Sequence, residues 1–235
     1  GDVNFATSTS VPLVQTINSA STTMNITSSL NPSTFGESIT FTATVAASTP
    51  ATAIPTGSVE FFDGAVSLGT ASLNSSGQAE VSSVTLGVGT HTITAQYGGS
   101  ANFLSATNAT LDQVIYKTSP IVNIASDINP ALSGETITFT VEVSAVSAGS
   151  TAPSGSVELF SGTTSLGTTL LDSLGKASIP LSGLTTGTHS ITVGYSGDTN
   201  YDPITSDPFS QVINKINTTT QITADNPDPS LSGAD

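Results

Sequence analysis

The sequence predicts an all-β fold made of tandem antiparallel β-sandwiches, and three observations support this prediction. Short stretches rich in Thr, Val, Ile and Phe alternate apolar and polar residues, which is the pattern of strands with one buried face. Clusters of Gly, Pro, Asn and Ser interrupt these stretches about every 8 to 12 residues. The whole pattern then recurs along the chain with a fixed period, which indicates repeated domains.

The period of the repeat is 98 residues. Phe5, Phe103 and Tyr201 follow one another at intervals of 98 positions. An overlay of residues 19–116 on residues 117–214, made without a gap, gives 42 identities in 98 positions. This agreement of both residues and loop lengths predicts two complete copies of one domain.

The two ends of the chain match parts of the same repeat. Residues 1–18 match residues 99–116, and residues 215–235 match the beginning of a repeat with one additional residue at Pro227-Asp228-Pro229. We therefore expect pieces of a longer array. The expected order is a C-terminal fragment of a preceding repeat (1–18), two complete repeats (19–116 and 117–214) and an N-terminal fragment of a following repeat (215–235).

Each complete repeat is predicted to contain seven strands. In the first repeat we place them near residues 21–28, 37–47, 57–63, 66–73, 77–86, 89–97 and 108–116. In the second of these, Ile39 and Phe41 share one face while Thr40 shares the other with its polar neighbours. Asn31-Pro32 suits the turn after the first strand, and Gly36 suits a turn position with positive φ. Seven short strands in about 100 residues is the size of an immunoglobulin-like sandwich.

Longer strings of residues resemble a known family. The first repeat reads NPSTFGESITFTATV, PTGSVEFFDG and GVGTHTITAQYGG, and the second reads PSGSVELFSG and TTGTHSITVGYSGDTNY. These strings resemble the bacterial Ig-like repeats of group 3, over both complete copies and both fragments. The resemblance implies tandem immunoglobulin-like sandwiches in a large secreted or surface-attached bacterial or archaeal protein, often as the stalk of an adhesin. It implies no shared catalytic residue.

Composition excludes several classes of partner. The chain has 3 basic residues against 17 acidic ones, for a formal net charge of −14, so it lacks the basic face that nucleic acids require. It has no Cys, and therefore no disulfide and no thiolate metal site. No apolar run is long enough for a membrane span. Ser and Thr make up 76 of the 235 residues, which predicts a hydroxyl-rich and chemically inert surface.

One loop resembles the start of a calcium-binding loop. Asp198, Asn200 and Asp202 alternate as calcium ligands do, but the following residue is Pro203 rather than Gly. The equivalent residues of the other copies break the pattern. We therefore expect a turn stabilised by Asn200, with calcium at Asp198, Asn200 and Asp202 as a weak alternative. No other cofactor or metal is expected.

Three recurring polar residues have structural interpretations. His91 and His189 occupy one repeat position and are expected to fix a turn through a hydrogen bond. Gln15, Gln113 and Gln211 lie between apolar residues of the last strand, where a buried amide would pair with backbone. Lys117 and Lys215 lie where one repeat follows another; they are expected to be solvated, with an isopeptide crosslink as the less favoured alternative.

The repeat predicts a spacer function rather than an enzyme. Head-to-tail sandwiches with short joints would form a stiff rod, and we expect a structural stalk that projects a binding module from a cell surface. Its partners would be neighbouring repeats, and identical chains if the array forms a filament. The alternatives are repeats that themselves bind glycan or calcium, and a non-catalytic appendage of a secreted enzyme. The end loops at 48–53 and 146–151 have only small residues, which favours the spacer.

Overall fold

The computed structural model describes residues 1–83, 86–148 and 150–221. All the regular elements in these ranges are β-strands. The chain forms two compact units whose main division lies between Thr118 and Ser119. Each unit contains one antiparallel sandwich, so the all-β fold class is confirmed.

The first sandwich has eight strands in two sheets. They are β1 (Thr22–Ser28), β2 (Ser33–Thr34), β3 (Ile39–Ala47), β4 (Ser58–Asp63), β5 (Val66–Ser72), β6 (Gln78–Ser83), β7 (Gly89–Tyr97) and β8 (Ala109–Tyr116). One sheet has the order β1-β3-β6, and the other has the order β2-β8-β7-β4-β5. The pairing is antiparallel except between β2 and β8, which run parallel.

The second sandwich repeats this arrangement with one additional short strand. Its strands are β9 (Ile121–Ser126), β10 (Ala131–Leu132), β11 (Ile137–Ser144), β12 (Ser156–Ser161), β13 (Thr164–Leu170), β14 (Lys176–Leu181), β15 (Gly187–Tyr195), β16 (Ile204–Thr205) and β17 (Phe209–Asn214). The smaller sheet has the order β14-β11-β9, and the larger has the order β10-β17-β15-β12-β13. The additional strand β16 pairs with β15.

The core lies between the two sheets of each sandwich and follows the predicted alternation. In β3 every second residue is buried, and Phe41 is 0% exposed. The opposing sheet contributes Phe61 and Ile93, each also 0% exposed. The same positions in the second sandwich, Phe139 and Leu159 among them, are equally buried. Period-two burial therefore defines the inner face of each sheet.

The chain enters each sandwich at one end of the strands and leaves it at the opposite end. At the entry end, Thr22 of β1 pairs with Ala47 at the end of β3. At the opposite end, Ile115 of β8 pairs with Gly89 at the start of β7. The second sandwich has the same registers, because β9 begins opposite Ser144 and β17 ends beside β10.

The strands differ from the predicted ones mainly at their ends. The strand predicted at 77–86 is observed as Gln78–Ser83, and two of the predicted residues lie outside the described ranges. The prediction missed β2, because two residues pairing in parallel with β8 have no period of their own. Gly36 and Gly134 have positive φ of 89° and 87°, as the turn chemistry predicted. The peptide bond before Pro32 is cis.

Candidate functional site

His91 joins a carboxylate to a turn in the first repeat. Its Nδ1 lies 2.7 Å from Oδ2 of Asp63, and its Nε2 lies 2.9 Å from the carbonyl oxygen of Gly87. Asp63 is brought there because it pairs with Ile93, two residues along β7 from the histidine. Sequence reasoning missed this partner, since the two residues are 28 positions apart and only strand register joins them.

His189 makes the same turn contact with a different second partner. Its Nε2 lies 2.8 Å from the carbonyl oxygen of Thr185, the position equivalent to Gly87. Its Nδ1 lies 3.3 Å from the Ser161 hydroxyl, where the first repeat has Asp63. The histidine–carbonyl contact is therefore common to both repeats. It joins a histidine of β7 or β15 to the carbonyl group four residues earlier, just before the strand begins. In each repeat the imidazole joins this turn to the end of the neighbouring strand, β4 or β12.

Asp198 organises the turn for which calcium was considered. Its Oδ1 accepts hydrogen bonds from the backbone N–H groups of Asn200 and Tyr201 at 2.8 and 2.9 Å. Its Oδ2 accepts from the backbone N–H and the hydroxyl of Ser154 at 2.8 and 2.9 Å. The carboxylate thus ties this turn to the loop between β11 and β12. The side chain that caps this turn is Asp198, whereas the repeat pattern predicted Asn200.

The surroundings of Asp198 favour its charged form. Burial raises the pKa of its carboxyl, but the hydrogen bonds from Ser154, Asn200 and Tyr201 together outweigh burial and hold the pKa below its ordinary value. Asp202 follows in the same turn and is half-buried. Among the residues that the structure describes, no three His, Asp or Glu side chains group closely enough to hold a metal ion. Calcium at this loop stays the weak alternative.

The same turn forms in all three copies with different capping groups. In the N-terminal segment, Asp2 Oδ1 accepts from the N–H groups of Asn4 and Phe5 at 2.8 and 3.0 Å, as Asp198 does from its neighbours. In the first complete repeat the position is Ser100, and its N–H donates to the Phe103 carbonyl at 2.8 Å. The N-terminal segment therefore has the local structure of a repeat tail.

The recurring glutamine is buried in both complete repeats, and its contacts differ. Gln113 is 0% exposed. Its Oε1 accepts from the Ser28 hydroxyl at 2.7 Å, and its Nε2 donates to the carbonyl oxygen of Leu30 at 2.9 Å. Nε2 also lies 3.3 Å from the Ser33 hydroxyl. The amide therefore joins β8 to the segment that crosses from β1 to β2, as a buried amide paired with its neighbours should.

Gln211 occupies the equivalent place with one atom unsatisfied. Its Nε2 donates to the carbonyl oxygen of Ile128 at 2.9 Å, but its Oε1 is buried without a hydrogen-bond partner. The Ser126 hydroxyl, which corresponds to Ser28, instead donates to the Ile128 carbonyl at 2.8 Å. Ala131 replaces Ser33 and offers no hydroxyl. An unpaired buried acceptor costs about 1–3 kcal/mol.

The remaining candidates are on the surface. Lys117 and Lys215 are both exposed, and the choice between solvated lysines and a crosslink stays open. The loop at 48–53 borders a groove lined mainly by small residues, with Pro50 and Phe103 at its wall. Within the described residues there is no helix of the length and apolarity needed to cross a membrane.

The strand order of the two sandwiches identifies the class of domain. Two sandwiches of the same topology, with polar residues that stabilise turns, are immunoglobulin-like domains in tandem. Residues 26–115 and 124–214 match the bacterial Ig-like domain (group 3) family. The chain belongs to this family, as the resemblance in its sequence predicted.

Solved structures with a similar fold include several adhesins. The Yersinia pseudotuberculosis adhesin InvE is 17% identical with a TM-score of 0.38, over 80% of this chain and 58% of that one. The D0-D1 domain of intimin is 23% identical with a TM-score of 0.30, over 80% of this chain and 97% of that one. The Escherichia coli adhesin FdeC is 14% identical with a TM-score of 0.34, over 85% and 66%. A comparison with curated proteins finds no match.

Proposed function

We propose that the chain is a structural stalk segment of an extracellular fibre or adhesin and projects a binding module from the cell. The family's domain occurs twice in tandem in this chain, and the acidic, hydroxyl-rich surface suits a spacer that resists non-specific association. The proposal assigns the chain no catalytic role. The function of an enzyme appendage has no specific observation in its favour.

The observation that carries this proposal is the position of the chain at the two ends of each sandwich. The chain enters beside Ala47 and leaves beside Gly89, at opposite ends of the strands. A domain that the chain enters and leaves at opposite ends can add its own length to an array, which is what a spacer requires. Force applied between the ends would also load the parallel pairing of Ser33 with Ile115 along the strands, so several hydrogen bonds would have to break together.

Stretching single molecules of the full chain tests the proposal. Each repeat of 98 residues should unfold in one step and release about 300 Å of chain, at roughly 3.4 Å for each extended residue. Two such steps are expected. Gradual extension without separate steps would contradict a load-bearing spacer.

We further propose that residues 1–18 are the last strand of a preceding repeat. The segment exposes 73% of Phe5 and 90% of Ile17, whereas the equivalent residues Phe103 and Ile115 are 7% and 2% exposed. Residues 215–235 would begin a following repeat; the part from 222 onward lies outside the described residues. The equivalent positions are thus buried in both complete repeats and exposed in residues 1–18.

A chimeric chain tests this assignment. Residues 19–98, duplicated directly before Gly1, would supply the strands that residues 1–18 need. The chimera should give three unfolding steps, and the amides at 13–17 should become protected from hydrogen exchange. An Ile17→Asp chimera should lose the third step and keep the other two. Unprotected amides at 13–17 in the unmutated chimera would refute the assignment.

A further inference from the structure

A groove recurs on the outer face of the larger sheet in both repeats. In the first repeat it is lined by Ser58, Glu60, Thr70, Gln96, Tyr97 and Asn108, among others. In the second repeat it is lined by Ser156, Glu158, Phe160, Thr168, Gly194 and Thr205, among others, and has a volume of about 330 Å³. Most of the lining positions are equivalent across the 98-residue period. The fold itself therefore creates the concavity, and side chains decide what each groove can hold.

The second groove includes the ring of Phe160, whereas the equivalent Phe62 does not line the first groove. Phe160 pairs with Thr192, between the fully buried Ile191 and Val193, so its ring lies on the outer face of the sheet. The ring packs over Gly194, and a Cβ placed on that glycine would lie only 3.3 Å from Phe160 Cε2. The first repeat has Gln96 at the position of this glycine. The first groove has a volume of about 370 Å³, so the two grooves differ in the groups that line them rather than in size.

The carboxylate in this groove is held in place. Oε1 of Glu158 accepts a hydrogen bond from the Ser165 hydroxyl, and Glu158 pairs across the sheet with Thr168. Two residues along β12, Phe160 lies on the same face. An apolar ring therefore stands beside a positioned acceptor and several hydroxyl groups, on a half-buried surface.

We propose that this groove of the second repeat binds a neutral pyranose sugar. The C–H groups of a pyranose face carry partial positive charge and suit the negative face of an aromatic ring. Its hydroxyls can donate to the Glu158 carboxylate and exchange hydrogen bonds with Thr168 and Thr205. Few convergent polar groups around an apolar wall are typical of a small-ligand site. The spacer would then hold a carbohydrate weakly at one face.

The negative charge of the groove and of the chain restricts which sugars can bind. The groove contains Glu158 and no basic residue among its lining, and the chain has a net charge of −14. A uronic or sialic acid would be repelled by both. A basic peptide is the other ligand that an aromatic ring and a carboxylate attract, but it would not need the hydroxyls that line the rest of the groove. Neutral hexoses and N-acetylhexosamines are therefore the expected ligands.

Titration of the full ¹⁵N-labelled chain with cellobiose, maltose, lactose and diacetylchitobiose tests this site. At least one disaccharide should shift the amide signals of Glu158, Phe160 and Gly194, and leave those of Glu60 and Gln96 unchanged. Phe160→Ala should weaken binding by about tenfold, as expected for loss of one aromatic contact. Gly194→Gln installs the residue of the first repeat and places a side chain against the Phe160 ring, so it should weaken sugar stacking on the ring and keep the fold. Glu158→Gln keeps the shape and should weaken binding less.

The controls distinguish binding at this groove from binding elsewhere on the chain. Phe62→Ala changes the equivalent ring of the first repeat and should leave binding unaltered. No shift with any of the four sugars, equal binding of glucuronic acid, or tighter binding of trilysine would each overturn the proposal. So would binding that Gly194→Gln does not weaken in a chain whose melting temperature is unchanged. None of these outcomes affects the unfolding steps on which the spacer function depends, so the two proposals fail independently.

Discussion

The two repeats share 42 of 98 residues and one topology, but they stabilise it with different polar groups. The first repeat has a fully paired buried glutamine, Gln113, and a contact between His91 and Asp63. The second leaves Gln211 Oε1 without a partner and uses a carboxylate, Asp198, to tie two loops together. The fold thus specifies where polar contacts are needed and leaves their chemistry to vary.

Turn caps show this difference most clearly. At three equivalent positions a neutral residue in the first repeat is replaced by an aspartate in the second: Ser29 and Asp127, Asn74 and Asp172, Ser100 and Asp198. Oδ1 of Asn74 and Oδ1 of Asp172 each accept hydrogen bonds from two backbone N–H groups, at 2.8 to 3.0 Å. The geometry is the same while the charge differs, so the second repeat should depend more on pH.

Removing the buried glutamine should have the largest effect, and it should be larger in the first repeat. Gln113→Ala would create a cavity and leave the Leu30 carbonyl and the Ser28 hydroxyl without this partner, at a cost of about 3 kcal/mol. Gln211→Ala should cost about 2 kcal/mol, because its Oε1 has no hydrogen bond to lose. Hydrogen exchange of amides in β7 and β15 measures the stability of each repeat. Equal losses would show that the unpaired oxygen has no energetic consequence.

The next largest effect is expected at the turn cap. Asp198→Ala removes an acceptor of four hydrogen bonds and should destabilise the second repeat by about 2 kcal/mol. Ser100→Ala should cost about 0.5 kcal/mol or less, since the hydroxyl of this residue has one hydrogen bond, at 3.4 Å from Thr56 Oγ1. Amide hydrogen exchange of each variant measures the loss of stability in the repeat that carries the substitution. A large loss for Ser100→Ala would mean that the two caps are equivalent.

Acid should weaken the second repeat through the same carboxylate. The pKa of Asp198 is below its ordinary value in the folded chain, so its contribution is complete above the pKa of the unfolded chain, about 3.9. That contribution is lost as the pH falls through the lower folded pKa. The backbone N–H groups of Lys176 and Leu174 also lower the pKa of Asp172, which adds in the same direction.

Comparison with Asp198→Ser isolates this effect. The variant carries the residue of the first repeat and lacks the titrating group, so its second repeat should lose about 1 kcal/mol less between about pH 6 and pH 2 than the unmodified chain, allowing for solvent screening. Denaturant unfolding at a series of pH values measures the difference. Parallel pH profiles for the two chains would show that the carboxylate makes no charge-dependent contribution.

Most of the fold was predictable because its signal is local. Alternation in β3 and the turn at Gly36 follow from neighbouring residues, and the predicted strand at 89–97 matches β7 at both ends. The short strand β2 was not predictable, since its pairing with β8 joins Ser33 to Ile115, far away in the sequence. Prediction from local sequence succeeds where burial is periodic and fails where two residues are ordered by a distant strand.

The site was less predictable for the same reason. Sequence alone gave His91 a turn contact but could not bring Asp63 to it, because strand register decides that approach. The groove beside Phe160 likewise depends on Gly194, a residue on the adjacent strand β15. One signal was present: position 194 is Gly in the second repeat, where the first repeat has Gln96. Differences between aligned copies therefore indicate sites that motifs do not.

A smaller effect than those at Gln113 and Asp198 is expected from a single hydroxyl that distinguishes the repeats. Tyr201 O–H donates to the carbonyl oxygen of Thr151 at 2.7 Å, whereas the equivalent Phe103 has no hydroxyl. Tyr201→Phe should destabilise the second repeat by about 1 kcal/mol or slightly less, the value of one partly buried hydrogen bond. Amide exchange in β15 measures the loss.

A matched pair supplies the control for this last comparison. Tyr97 and Tyr195 occupy equivalent positions, and each donates to a loop carbonyl at 2.7 Å. In the Asp198→Ser background, which removes the carboxylate that interacts with Tyr195, their Phe variants should therefore destabilise the two repeats by equal amounts, while Tyr201→Phe affects the second alone. Unequal effects at Tyr97 and Tyr195 would mean that the loops, rather than the hydroxyl groups, set the difference. Because the loop between β11 and β12 is bonded to Tyr195, Asp198 and Tyr201 together, it should open later than the equivalent loop of the first repeat.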